Sequence, residues 1–208
     1  MPKGLNFATT SYIMKKTKEL VNSRRDALIA LLKDPVAEVR SAAAEALEIL
    51  EGISSLDEIL DALKKGDIPT KIKALYALGK IGGEEVLPPL VYCVSRPEED
   101  LKSAAIEVLG NLANPKAAPV LVECLKERNS ALKAKAIAAL GNFSDPALVP
   151  LLAAFLEEND GLLDAEAARS LGKIGAPHLE QKLLDLLRSP FSKTRESAAF
   201  ALGILPVG

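Results

Sequence analysis

The hexapeptide ALYALG at residues 74–79 returns along the whole chain in slightly varied forms. Its other copies read AAEALE at 43–48, AIEVLG at 105–110, AIAALG at 136–141, AARSLG at 167–172 and AAFALG at 198–203, with start positions at one constant spacing. In every copy an alanine precedes the leucine by four residues, which is about one turn of an α-helix. The four-residue spacing within each copy indicates a helix, and the constant spacing between copies indicates a structural repeat. Together they predict a stack of helical repeats.

Each copy predicts the second half of a helix that we call the first helix of the repeat. Small and apolar residues at helical spacing, such as Ala74 and Leu78, form a narrow stripe along which neighbouring helices can approach closely. Gly79 is expected to end its helix, because glycine adopts the left-handed cap conformation without steric cost. The earliest copy has Glu48 in this position and Gly52 beyond it, so its first helix is expected to be about one turn longer.

A second helix is predicted to follow each first helix. Its start carries turn and capping residues, as at Asn114-Pro115 and Asp145-Pro146. Its apolar positions recur with the same period, at Ile59, Leu90, Leu121, Leu152 and Leu183. Residues 24–33 fit the same pattern, and a degenerate helix at about 11–21 is expected before them. The sequence therefore predicts about five full repeats between an atypical helical pair at the start and a lone first helix at 192–204.

The composition agrees with an all-α fold. The chain has 208 residues, 49% of them apolar, and it contains only three Tyr, five Phe and no Trp. Such a composition favours close packing of helices over a sheet sandwich. We predict one solenoid domain at residues 11–208, preceded by a disordered N-terminus at residues 1–10.

The repeat itself has a recognisable form over roughly residues 23–204. The pattern V/L-R/K-x-x-A-A-x-x-A-L-G, followed by a second helix with an early proline, resembles the short HEAT-like repeats of the phycobilisome-lyase type. The resemblance implies a right-handed α-solenoid, an α-α superhelix whose second helices line the concave face. It implies two functions of different classes: a protein-binding scaffold, and a bilin lyase or isomerase or a subunit of such an enzyme.

Two rows of positions on the second helices would then face a partner. The first row is Asp61, Tyr92, Glu123, Ala154 and Asp185. The second row is Asp57, Pro88, Pro119, Pro150 and Gln181. Together they hold four carboxylates and no basic residue, which predicts a mildly acidic groove. We expect a basic or amphipathic segment of another protein to bind there, at Asp57, Asp61, Tyr92, Glu123, Gln181 and Asp185. The alternative is that these carboxylates are ordinary solvated surface.

Two further rows lie on the first helices. Seven residues before each repeat leucine stand Arg40, Lys71, Lys102, Lys133, Asp164 and Arg195, a basic row that Asp164 interrupts. Acidic residues in the turns are expected to pair with this row, and the alternative is a stripe that binds anions. Two residues before each leucine stand Glu45, Tyr76, Glu107, Ala138, Arg169 and Phe200, expected on the outer face. Phe200 lies in the last helix, which no second helix follows. We expect this C-terminal helix either to mediate self-association or to mark an artificial end of the chain.

The sequence contains no constellation of catalytic or metal-binding groups. Cys93 and Cys124 share a repeat position that is apolar elsewhere, which predicts buried packing, and the ~10 Å between neighbouring helices is too long for a disulfide. His178 is the only histidine, so no histidine pair can bind a metal, and we expect it to be exposed. We predict a non-catalytic protein that needs no cofactor.

Charge and hydropathy restrict the partners and the compartment. The formal net charge of −2 argues against a dedicated nucleic-acid binder. Residues 1–33 nevertheless hold seven basic and two acidic side chains, which leaves open a contact of this end with nucleic acid or an anionic membrane. No apolar run approaches the ~20 residues of a membrane span, and the first 25 residues lack the apolar core expected of a secretory signal. We predict a cytoplasmic protein.

Overall fold

The computed structural model describes residues 20–206, except for the side chains of residues 53 and 54. All regular structure in this part of the chain is helical. The contacts divide the chain into two compact units, whose described parts are residues 20–62 and 63–206, and each unit is described separately below. The segment predicted to be disordered, residues 1–10, lies outside the described residues, as does most of the degenerate helix predicted before residue 21.

The first unit contains helix α1 at residues 20–31, helix α2 at Ala37–Ser54 and most of helix α3 at Leu56–Lys65. Helix α2 has 18 residues, whereas the first helices α4 and α6 of later repeats have 14 each, so the predicted extra turn is confirmed. Asp34 stabilises the turn that precedes α2, because its carboxylate accepts a hydrogen bond from the backbone N–H of Val36 at 2.8 Å.

The second unit alternates first and second helices in the predicted order. Its first helices are α4 (Ile68–Ile81), α6 (Glu99–Leu112), α8 (Ser130–Leu140), α10 (Leu163–Ile174) and α12 (Ser192–Ile204). Its second helices are α5 (Leu87–Val94), α7 (Ala118–Cys124), α9 (Val149–Ala153) and α11 (Glu180–Leu186). Each first helix packs on the next first helix, and each second helix packs on the first helix that follows it. The fully buried leucines of the repeat, Leu78, Leu109, Leu140 and Leu171, lie between these two layers.

The second helices are short and begin with a tighter turn than the sequence suggested. Single 3₁₀ turns at Pro115–Ala117, Pro146–Leu148 and Pro177–Leu179 precede α7, α9 and α11. Asn114 and Asp145 cap two of these turns, because their side-chain oxygens accept hydrogen bonds from backbone N–H groups two residues later. A recurring proline at position N1 or N2 then suits the first turn of α5, α7 and α9, where its missing N–H has no helical acceptor.

The repeat glycine lies inside α4, α6, α10 and α12, so the prediction that it ends the first helix was wrong for these helices. Only α8 ends at it, and there Gly141 is the C-cap in a right-handed conformation. Gly110 lies inside α6, where a Cβ atom would come within 2.5 Å of the Ala139 Cβ and 2.7 Å of the Ala139 Cα on α8. Gly172, inside α10, would meet the Ala201 Cα on α12 at 2.6 Å. Real Cβ atoms do not approach other atoms so closely, so the glycine is present to let two helix backbones come together.

The left-handed residues that do follow the first helices lie three positions after the repeat glycine. Gly82 has φ 67°, Ala113 has φ 47°, Ser144 has φ 49° and Gly175 has φ 81°, again with the period of the repeat. Gly82, Ala113 and Gly175 are the residues at which α4, α6 and α10 end. Two of the four positions thus carry a side chain in a conformation that glycine adopts without strain.

The turn acids do not form the predicted ladder with the basic row. Asp67 and Asp160 instead accept hydrogen bonds from backbone N–H groups at the starts of α4 and α10, at 2.7–3.0 Å. Lys102 pairs with Glu127, with Nζ and Oε1 at 2.6 Å. Arg195 donates to two backbone carbonyl oxygens of the turn before α12. Helix starts attract the short carboxylates because four backbone N–H groups there have no helical acceptor.

Candidate functional site

The residues predicted to bind a partner lie on exposed faces of second helices. In the second unit they are Tyr92 on α5, Glu123 on α7, and Gln181 and Asp185 on α11. In the first unit they are Asp57 and Asp61 on α3. The first-row residue Ala154 directly follows α9 and is apolar. Each of the other second helices presents at least one polar or aromatic side chain to solvent.

Tyr92 is the most exposed large hydrophobic residue in the described part of the second unit, at 60%. It projects from α5 and contacts Arg96, which follows one turn later. The Arg96 guanidinium lies 5.5 Å from the centre of the Tyr92 ring, and its Nη1 donates a hydrogen bond to the Tyr92 Oη at 3.2 Å. Glu98 lies 3.6 Å from the Arg96 Nε and holds the guanidinium from the other side. The exposed ring is thus in contact with a cation.

Glu123 lies beside a shallow depression at the end of α7, lined by Glu99, Glu123, Lys126, Glu127, Arg128 and Asn129. Lys126 donates to both carboxylate oxygens of Glu123 at 2.9 Å. Glu99 accepts a hydrogen bond from the Asn129 side chain at 2.9 Å. The depression therefore carries both charge signs, with its carboxylates already held by lysine and amide groups.

Gln181 and Asp185 form a third exposed pair, one turn apart on α11. The Gln181 Nε2 donates to the Asp185 Oδ1 at 3.3 Å, so the amide leaves the other carboxylate oxygen of Asp185 open to solvent. No basic side chain pairs with Asp185 among the described residues. Of the acidic positions in the second unit, Asp185 is thus the one best placed to accept a hydrogen bond from a basic partner.

Sequence reasoning missed the basic residues of this surface. Arg96 and Lys126 lie four and three positions after Tyr92 and Glu123, which is the spacing at which side chains on one helix meet. Comparing only one position per repeat left them out. The exposed face of α5 and α7 is consequently mixed in charge rather than acidic, and α11 also carries the exposed Lys182 beside its acidic residues.

The thiols, as predicted, are buried and unpaired. Cys93 is 2% exposed and Cys124 is 3% exposed, and neither forms a disulfide. Burial raises the pKa of both thiols, and together with the nearby Glu127 carboxylate it raises the pKa of Cys124 to about 11. His178 is exposed, in the 3₁₀ turn before α11. In residues 20–206 no group of three His, Cys, Asp or Glu side chains could bind a metal ion.

The outer face of the first helices carries interacting pairs in the row two residues before the repeat leucine. Burial and the Glu107 carboxylate on α6 raise the pKa of Tyr76 on α4. Lys135 on α8 lies 2.9 Å from the same carboxylate. The Arg169 guanidinium on α10 stacks 4.7 Å from the ring centre of Phe200 on α12. These contacts join neighbouring first helices.

Family comparison identifies the repeat. A family profile described as HEAT repeats matches residues 56–131 and 121–203, and one described as HEAT repeat matches residues 25–50. A comparison with curated proteins gave no match. In the described residues no helix is both long and apolar enough to cross a membrane.

Solved structures agree with this result. The chain is similar to a chain in the complex of CpcE and CpcF of phycocyanin lyase from Nostoc sp. PCC7120, with 25% identity, 86% of this chain and 76% of that chain covered, and a TM-score of 0.56. It is also similar to a designed armadillo repeat protein, with 20% identity, 86% and 99% covered, and a TM-score of 0.52. An engineered protein gives 22% identity, 86% and 95% covered, and the same TM-score of 0.52. The predicted all-α solenoid class is confirmed, while the number of repeats and the handedness stay predictions.

Proposed function

Because the chain belongs to the HEAT-repeat family, we propose that it is a cytoplasmic, non-catalytic protein-binding scaffold that holds its partner on the exposed faces of its second helices. The observation that supports this proposal is that the two helices of each repeat use their side chains differently. The first helices use their small residues and outer side chains to contact one another. The second helices keep polar and aromatic groups in solvent.

The partner's chemistry follows from those groups. Tyr92 supplies a large exposed aromatic ring that contacts Arg96, and such side chains often dominate the binding energy at interfaces. Asp185, on α11, offers an unpaired carboxylate oxygen. We infer that the partner segment is amphipathic, with an apolar side chain for Tyr92 and basic side chains for the carboxylates.

A charge-reversal experiment tests the proposal. In one variant Asp61, Glu123 and Asp185 are each replaced by Lys, and in a second variant Tyr92 is replaced by Ala. A control variant carries the same change of charge at the exposed residues Glu45, Asp100 and Glu158, none of which lies on a second helix. Proteins bound from a native lysate are identified by mass spectrometry at two salt concentrations.

We expect the test variants to lose a partner that the wild type and the control retain. The charge reversals should lose more at low salt, where electrostatic contributions are least screened. The same partners on all four proteins would contradict binding through the second helices.

The second candidate is a subunit of a bilin lyase or isomerase. It is supported by the similarity to the phycocyanin lyase structure, at 25% identity over 86% of the chain. Its test is the visible absorbance of a free bilin on mixing with the protein, together with co-purification of a second HEAT-like subunit. An unchanged bilin spectrum, with and without such a subunit, would count against it.

A further inference from the structure

Three polar side chains near the starts of α10 and α12 are fully buried and have oxygen atoms without a hydrogen-bond partner. Asp164 on α10 and Thr194 and Ser197 on α12 are each 0% exposed. The Asp164 Oδ1 accepts a hydrogen bond from the backbone N–H of Ala165 at 2.8 Å, but its Oδ2 has no partner, and neither hydroxyl group has one. A charged oxygen atom is costly to bury alone, so a polar group or an ion is expected beside it.

The repeat glycines show how neighbouring first helices face each other. Each glycine meets a residue of the next first helix at the same offset along the chain; the pairs are Gly79 with Val108, Gly110 with Ala139, Gly141 with Ser170, and Gly172 with Ala201. Similar offsets join two further pairs near the starts of α10 and α12. An ideal Cβ at Gly161 would lie 2.6 Å from the Phe191 ring, and the Glu166 Oε1 lies 3.1 Å from the Lys193 Nζ. Helices α10 and α12 therefore run parallel in one register.

Asp164 lies along the chain between Gly161 and Glu166, so this register places it opposite the first turn of α12. In that turn Ser192 and Lys193 are exposed, and Thr194 is the buried residue. Ser197 follows Thr194 by three positions and so lies on the same side of α12. The carboxylate of α10 and the two hydroxyl groups of α12 thus share one buried region between the helices.

The other three contacts between first helices of the second unit have different residues at these positions. Buried leucines occupy the position of Thr194, namely Leu101, Leu132 and Leu163. Lysines occupy the position of Asp164, namely Lys71, Lys102 and Lys133. Ala168, one turn after Asp164, replaces the larger Leu75, Ile106 and Ile137. At the contact of α10 with α12, smaller side chains and oxygen atoms therefore stand where the other contacts have apolar or basic groups.

We propose that Asp164, Thr194 and Ser197 form a binding site for one monovalent metal cation, such as sodium or potassium. Carboxylate and hydroxyl oxygen atoms are hard ligands that suit such ions. The bound ion links α10 to α12, and its binding free energy stabilises their contact. This proposal does not depend on the function proposed for the second helices.

The charge of the site selects the class of ion. Asp164 contributes one negative charge, and its Oδ2 has no basic partner among the described residues. The other carboxylates that join α10 to α12 are already paired, Glu166 with Lys193 and Glu196 with Arg169. A divalent cation would therefore leave an excess positive charge in the interior, and a water molecule would leave the carboxylate charge unbalanced.

Thermal midpoints of the full chain in different chloride salts test the site. Sodium, potassium, calcium and tetramethylammonium chlorides are compared at one ionic strength, because tetramethylammonium is too large for a buried site between packed helices. The test variants are Asp164→Asn and Thr194→Val, which keep the side-chain shape and remove the charge or the hydroxyl group. The control is Asp100→Asn, which removes an exposed carboxylate from the same position of α6, the second residue of the helix.

We expect the wild type and Asp100→Asn to have a higher midpoint in sodium or potassium chloride than in tetramethylammonium chloride. The rise should be about 3–5 °C per tenfold increase in cation concentration above the dissociation constant. Asp164→Asn should have the same midpoint in all four salts, and Thr194→Val should need more cation for the same rise. Equal wild-type midpoints in the three monovalent salts would overturn the proposal. So would a rise that persists in Asp164→Asn, or one that calcium alone produces.

Rubidium locates the ion directly. In crystals of the full chain grown with rubidium chloride, we expect an anomalous difference peak in contact with the Asp164 Oδ2 and the Thr194 Oγ1, and no such peak in Asp164→Asn. Electron density at this place without an anomalous signal would identify a water molecule and contradict the proposal.

Discussion

The repeat glycine sets the distance between neighbouring first helices. Substitutions at two positions separate the packing that the glycine allows from its low helix propensity. In Gly110→Ala the added Cβ meets the Ala139 backbone at 2.7 Å, so a helix must shift. We expect the free energy of unfolding to fall by about 1–3 kcal/mol, the range of overpacked cores, despite the better helix propensity of alanine. Gly203→Ala has open space and should gain up to about 1 kcal/mol. Urea unfolding of both variants measures the difference, and equal changes in the two would argue against the packing role.

The left-handed residues allow a second residue-level prediction. Ala113 ends α6 with φ 47°, where glycine has no steric penalty. Ala113→Gly should raise the free energy of unfolding by about 0.5–1 kcal/mol. The reverse change at the matching left-handed position of α10, Gly175→Ala, should lower it by a similar amount. Denaturant midpoints at constant slope check both, and a destabilised Ala113→Gly would contradict the cap assignment.

The buried thiol of Cys124 predicts a loss of stability at alkaline pH. Its pKa is about 11 in the folded chain, against an ordinary value of 9.0, so between these two values the unfolded chain releases a proton that the folded chain keeps. The stability linked to this thiol is fully present below pH 9 and falls as the pH rises toward 11. Cys124→Ala should show a shallower decrease over this interval. Thermal midpoints measured across this alkaline range test the prediction, and parallel curves for the two proteins would refute it.

At the scale of helices and turns, the order of the elements was predictable from the sequence, and several of their contacts were not. The constant repeat spacing identified α4, α6, α8, α10 and α12 because Ala and Leu four residues apart mark one buried helical face. The role of Gly110 was not visible, because a glycine near a helix end suits both a cap and a close approach. Only the residue that faces it from the next first helix distinguishes the two.

The charged contacts between elements were missed for a related reason. Comparing equivalent positions across repeats aligned Tyr92 with Glu123, but the bases that contact them lie just after the end of the same helix. Carboxylates in turns were expected to pair with the basic row, whereas Asp67 and Asp160 satisfy backbone N–H groups at helix starts. Local hydrogen bonds of short side chains are favoured over longer-range ion pairs because they order fewer rotatable bonds.

One ion pair between elements should contribute measurably to stability. Lys102 on α6 and Glu127 before α8 are 16% and 29% exposed, whereas Lys126 and Glu123 at the end of α7 are 72% and 66% exposed. A double-mutant cycle with Lys102→Met and Glu127→Gln should give a coupling of about 1 kcal/mol. The exposed pair should give at most about 0.5 kcal/mol. Equal couplings for the two pairs would contradict the effect of burial.

At the scale of the whole chain, the two compact units differ in the amount of buried apolar surface. In the described part of the first unit only Ala43 and Leu50 are buried hydrophobic residues, whereas Leu20, Ile29 and Val36 are 45–52% exposed. We expect backbone amides of residues 20–62 to exchange through openings of lower free energy than those of α6, α8 and α10. Native-state hydrogen exchange measures this directly, and uniform protection across both units would contradict it.

The fixed offset in sequence between each repeat glycine and its neighbour has a consequence for how such a gene can change. Removing residues 111–141 would delete one complete period, and Gly110 would then face Ser170, which already packs against a glycine in the present chain. A deletion of any other length within a repeat would bring a different residue opposite Gly110 and displace the contacts beyond it. Unequal recombination can therefore lengthen or shorten this coding sequence in whole repeats, while each repeat glycine still faces a residue that packs against a repeat glycine in the present chain.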